Sequence, residues 1–115
     1  GYWIGVNDLG THLEVWTSSI TLSLSVPLDF RAGEWGHIVV TWDPSDRVIR
    51  SYQNGVFSSA SASVSIDFDA TEGELTIGSL RPAEHVEPWD GALDEIRFYN
   101  TPLSPAQIAE LAACN

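Results

Sequence analysis

Acids, imidazoles, indoles and one thiol are the side chains here that could do chemistry. Sixteen acids stand against five cations, every one of them arginine. Glu84, Glu87 and Asp90 are spaced three apart, but in a Pro-bounded loop, where that spacing fixes no common face. They read as solvated loop acids. Glu72 and Glu74 flank Gly73 in a turn and read the same way. His12, His37 and His85 are isolated from one another, and His37, in a strand with Trp35, reads as a structural, hydrogen-bonded core histidine. No Gly-x-Ser-x-Gly elbow and no phosphate loop occur. Cys114 is the only cysteine, so it makes no internal disulfide and no metal framework. It is either a bystander thiol or, in an oxidising compartment, a link to a neighbouring segment or partner. Catalysis is not expected.

Binding chemistry has better candidates. Trp16 shares the polar side of one segment with His12 and Glu14, and Trp89 lies beside His85 and Asp90. An aromatic ring flanked by carboxylate, amide or imidazole can hold a ligand that is apolar on one face and polar at its edge. The alternative for each indole is core or rim packing. Trp35, Trp42 and Tyr52 lie in strand-like runs and read as core. Asp94 is a different case. From Gly91 to Tyr99 the chain alternates, with Ala92, Asp94, Ile96 and Phe98 on one face. A carboxylate on a core-facing register is costly unless it is paired, hydrogen-bonded or bound to a metal.

Short strands with turn signals between them must position these residues. Thr11 to Trp16 and Ile20 to Val26 alternate apolar and polar, the pattern of half-buried antiparallel strands. Trp35 to Trp42 is rich in β-branched and aromatic residues, and Asp43-Pro44-Ser45-Asp46 is a turn by composition. Arg47 to Gln53, then Asn54-Gly55, then a return strand from Val56 predict a hairpin with a type I′ turn. The small residues from Ser58 to Ser65 predict a flat or edge strand, and Glu74 to Gly78 another strand. Ser104, Pro105 and Gln107 form a capping-box signature, with Leu103 and Ile108 placed as a hydrophobic staple. The fold class expected is all-β: an antiparallel β-sandwich with a short C-terminal helix, residues 1–115 forming a single domain.

Composition narrows the partners. Net charge −11, with 43% hydrophobic and 18% charged residues, excludes disorder and repels phosphate backbones and anionic lipid. No apolar run approaches the roughly 20 residues a membrane helix needs, so neither nucleic acid nor membrane insertion is expected. With no methionine, the chain reads as a mature product or an excised domain of a larger protein.

Trp35 to Asp43, Ile49 to Val56, Leu75 to Gly78 and Trp89 to Asn100 followed by Thr101-Pro102-Leu103-Ser104 together resemble, in order and spacing, the central and closing segments of laminin G-like jelly rolls. These belong to the concanavalin A-like lectin/glucanase superfamily. The resemblance implies a jelly-roll topology and a non-catalytic, carbohydrate-binding or adhesive module at the cell surface or outside the cell. Trp16, His85, Trp89 and Asp90 are then the ligand-binding candidates. The alternative is a structural protein–protein assembly domain with no sugar ligand. Glucanases of the superfamily carry Glu-x-Asp-x-x-Glu on one strand to straddle a glycosidic bond, and that pattern is absent. The resemblance also implies a structural calcium ion with Asp94 as its ligand, against a hydrogen-bonded or Arg-paired carboxylate. Calcium takes roughly six to eight oxygens, of which Asp94 supplies one. Ser79-Leu80-Arg81 stands where pentraxin-like sites are acidic. Domains of this type usually begin with further strands, and Gly1 to Val6 resembles a mid-domain strand. A minimal variant, or N-terminal strands supplied elsewhere, would leave a sheet edge open to self-association or a partner strand.

Overall fold

Two three-stranded antiparallel meanders face each other in the computed structural model, which describes residues 2–7, 9–17, 21–66, 77 and 91–113. Sheet A holds β1 (Tyr2–Val6), β2 (His12–Thr17) and β3 (Thr21–Pro27), in that order; sheet B holds β4 (Ile38–Asp43), β5 (Val48–Gln53) and β6 (Val56–Ser61). The helix α1 (Pro105–Ala113) follows. The all-β expectation with a short terminal helix is met.

Period-two patterning decides which face of each sheet is buried. Leu13 and Val15 of β2 and Leu24 and Val26 of β3 turn inward to meet Ile49 of β5 and Val64 beyond β6, with Ile38, Val40 and Trp42 of β4 packed against them. Each such aliphatic burial is worth about 1.5–3 kcal/mol, so this cluster, drawn from both sheets, holds them together. Trp42 is core as expected, and its indole N–H donates to the Val64 carbonyl at 3.0 Å. Gln53, 1% exposed, stitches the layers: its carboxamide oxygen accepts from the Asp29 amide at 2.7 Å and its NH2 donates to the Pro27 carbonyl at 2.9 Å. Asn54 (φ 51°) and Gly55 (φ 83°) supply the two left-handed residues of the type I′ turn.

Several expectations give way to local geometry. The β2–β3 register shifts between Val15 and Trp16, so Leu22 pairs with Trp16 rather than joining the Leu24–Val26 face, and it is 44% exposed. A bulge of this kind breaks strict alternation. Trp35 lies before β4 and is exposed rather than core. The largest correction concerns residues 91–100, which contain no strand and are exposed throughout. Glu95 sits at φ 52°, which interrupts an extended run. Ile96 and Phe98 therefore stay at the surface, and Asp94 does not face the core. The strand expected over Glu74–Gly78 lies, apart from Ile77, outside the described residues.

Candidate functional site

The outer face of sheet A gathers the chemistry expected around Trp16. Because Leu13, Val15 and Thr17 turn inward, His12, Glu14 and Trp16 must turn outward. Register adds a second indole. Trp3 of β1 stands directly opposite Trp16, and Gly5 stands opposite Glu14. The Trp3 ring lies across Gly5: a methyl there would overlap its Cζ2 and Cη2 atoms. The glycine is what lets that indole lie down along the sheet. Trp16 is half-buried, and its Nε1–H points to Glu14 Oε1 at a long 3.5 Å. The result is a pair of neighbouring indoles with a carboxylate alongside.

The β1–β2 turn fixes this register. Asn7 Oδ1 accepts from the backbone amides of Thr11 (2.8 Å) and His12 (3.0 Å), while its Nδ2 donates to Thr11 Oγ1 at 3.0 Å. Gly10 takes φ 70° within the same turn. His12 Nδ1 lies 2.9 Å from Thr11 Oγ1, which anchors the ring at the end of the strand. Trp3 is the residue that sequence reasoning missed. Its signal was the Trp-x-Gly alternation in β1, legible only once the turn at Asn7 sets which β1 residue meets Trp16.

The other candidates are not brought into this group. His85, Trp89 and Asp90 lie outside the described residues. Asp94 is exposed, and its Oδ1 accepts the Glu95 amide at 2.8 Å, while Glu95 pairs with Arg97 at 2.8 Å. Among the described residues no three His, Cys, Asp or Glu side chains gather to hold a metal ion. Asp94 alone does not supply the roughly six to eight oxygens that calcium takes. His37 differs from expectation in detail. Its backbone amide donates to Asn54 Oδ1 at 3.0 Å and its carbonyl accepts from Asn54 N at 2.8 Å, but its buried Nδ1 has no partner among the described residues. Among those residues, no helix is long and apolar enough to cross a membrane.

Two stacked antiparallel sheets with a capped terminal helix agree with what sequence comparison finds. The family model for the concanavalin A-like lectin/glucanases superfamily, of laminin G type, matches residues 1–109. The chain belongs to that family. No curated protein sequence matches it. Among solved structures, an S-layer domain-containing protein from Clostridium thermocellum shares the fold, with TM-score 0.59 at 15% identity. The match covers 96% of this chain and 61% of that one, so the chain spans well under the whole of its neighbour.

Proposed function

We propose that this domain is a non-catalytic recognition module of a secreted or cell-surface protein, and that it binds glycan on the outer face of sheet A. The cross-strand pair Trp3–Trp16 with Glu14 beside it is the observation that carries this reading. Indoles stack on the apolar faces of sugar rings, and a carboxylate accepts from the hydroxyls at their edge. Membership of a lectin-like superfamily supports the reading, and net charge −11 makes a neutral glycan a better partner than a polyanion. Trp89, with His85 and Asp90, remains a second proposed contact. A glycan array tests both, with Trp16→Ala and Trp89→Ala scored against the wild-type domain. Loss of signal in Trp16→Ala supports the sheet A site; loss only in Trp89→Ala moves the ligand to the other candidate.

A second reading has its own observation. Leu93, Ile96, Phe98 and Tyr99 are each 47–58% exposed in one short segment, and β1 is the outermost strand of sheet A among the described residues, with Ile4 41% exposed. Clustered exposed apolar residues suit protein–protein assembly, and the neighbour's description as S-layer domain-containing is compatible with such a role. Light scattering separates the two readings. A multimer that dissociates on Phe98→Ser, with an empty glycan array, favours assembly.

A further inference from the structure

The turn between β5 and β6 carries a chemistry of its own. Asn54 is followed by Gly55, which has no side chain to shield the main-chain nitrogen behind the asparagine. The Gly55 N–H donates to no backbone carbonyl among the described residues, and Asn54 is exposed, so water reaches its carboxamide. The fold demands this pair. Asn54 at φ 51° and Gly55 at φ 83° fill the two left-handed positions of the turn. A methyl on Gly55 would stand 3.1 Å from Ala112 Cβ and 3.4 Å from Ala109 Cα, so α1 leaves room there for little more than hydrogen. A bulkier residue, which would slow reaction at Asn54, is thereby disfavoured.

The reaction open to such a pair is ring closure. Gly55 N gives its proton to solvent hydroxide and bonds to Asn54 Cγ; the Cγ–Nδ2 bond breaks, and ammonia leaves a succinimide behind. Water then opens the ring. Addition at Cγ gives an aspartyl residue, and addition at the main-chain carbonyl carbon gives an isoaspartyl one, whose main chain runs through Cβ and Cγ. Water enters, ammonia leaves, and nothing is oxidised or reduced. The turn opposes the first step. In the ring, Asn54 Cβ and Gly55 N lie on the same side of the Cα–C bond, whereas a type I′ turn, the mirror image of type I, holds them on opposite sides. Asn54 is fixed in the turn at two points: its N–H donates to the His37 carbonyl at 2.8 Å, and its Oδ1 accepts from the His37 amide at 3.0 Å. Ring closure takes the carboxamide away from His37 and Gly55 away from α1.

We propose that Asn54 is a self-modification site gated by the fold. It loses ammonia when the turn opens, and the isoaspartyl product, longer by one main-chain carbon, no longer seats Gly55 beneath α1. The inference does not rest on the glycan reading of sheet A. The test incubates the whole chain in mildly alkaline buffer below its melting temperature, beside the same chain in guanidinium chloride. Peptide mass mapping locates the loss of ammonia, and protein isoaspartate methyltransferase labels the isoaspartyl product. Mapping is needed because Asp90-Gly91 can isomerise without a change of mass. In the folded chain Asn54 should convert ahead of Asn7 and Asn100, which precede Asp8 and Thr101, yet about tenfold or more slowly than in guanidinium. Ile108→Ala, or the milder Ser104→Ala where the first does not fold, should speed conversion by loosening α1. The purified isoaspartyl form should exchange the amides of α1 faster than the unmodified chain, whereas Asn54→Asp, equal to it in charge, should not. The inference is overturned if Asn54 stays intact in the folded chain or converts after Asn7 or Asn100. It also fails if folded and denatured chains convert alike, if loosening α1 leaves the rate unchanged, or if α1 exchanges in the isoaspartyl form as it does in the unmodified chain.

Discussion

Gly5 and Gln53 show how much a single side chain, or its absence, decides in this domain. Replacing Gly5 by alanine forces the Trp3 indole off the sheet. Overpacking of this sort costs about 1–3 kcal/mol, and the proposed sugar platform should lose affinity in the same variant, read by calorimetry beside a melting curve. Gln53→Leu keeps volume but abandons the Asp29 amide and the Pro27 carbonyl. A loss of about 1–3 kcal/mol per stranded group should appear as an earlier denaturant midpoint. At Asp46 the sign of a pH effect can be worked out. The Arg50 guanidinium, and then the Val48 amide, hold its carboxyl below the usual aspartate range. A lowered folded-state pKa contributes stability that is present above the unfolded pKa and lost as pH falls through the folded one. Asp46→Asn should flatten that part of the acid limb, and high salt should move the Asp46 carboxyl titration back toward ordinary values, because the pair is exposed. At this scale the sequence was only partly legible. Period two placed Trp16 with Glu14, but nothing in β1 alone names Trp3 as its neighbour, since that pairing is made by Asn7 turning the chain.

At the scale of elements, α1 and the β5–β6 hairpin followed their local signals. Ser104 and Gln107 exchange the two bonds of the capping box, at 3.2 and 2.9 Å, and Ile108 is fully buried with Leu103 half-buried before the cap. Ser104→Ala should cost about 1 kcal/mol, and Ile108→Ala about 2–5 kcal/mol, both read from chemical denaturation. Gly55 meets two demands at once: its φ is 83°, and a Cβ there would press on Ala112 of α1 at 3.1 Å. Those features are written in a few adjacent residues, and so are readable from sequence. Residues 91–99 are the opposite case. Their alternation is real, but a strand exists only with a ladder beside it, and the left-handed Glu95 breaks the run instead. The bulge at Val15/Trp16 was illegible for a related reason. It belongs to the pairing of two strands, and neither sequence alone encodes it.

For the molecule as a whole, two apolar-faced sheets and a net charge of −11 predict a domain that is stable but self-repelling. Moderate salt should raise its melting temperature by screening like charges, and a scan across sodium chloride concentrations reads this directly. The sandwich was legible because sheet-facing aliphatics recur with period two across several segments, each reinforcing the others. Ligand choice was less legible, because it depends on which faces the folded sheets leave open. The central claim is that the indole pair on sheet A binds sugar. Its most direct test is a glycan array probed with the wild-type domain and Trp16→Ala, each shown folded by its melting curve. The account predicts retention of at least one neutral glycan by the wild type and a loss of about tenfold or more in the variant. An empty array, or a folded Trp16→Ala that binds as tightly as the wild type, would contradict it.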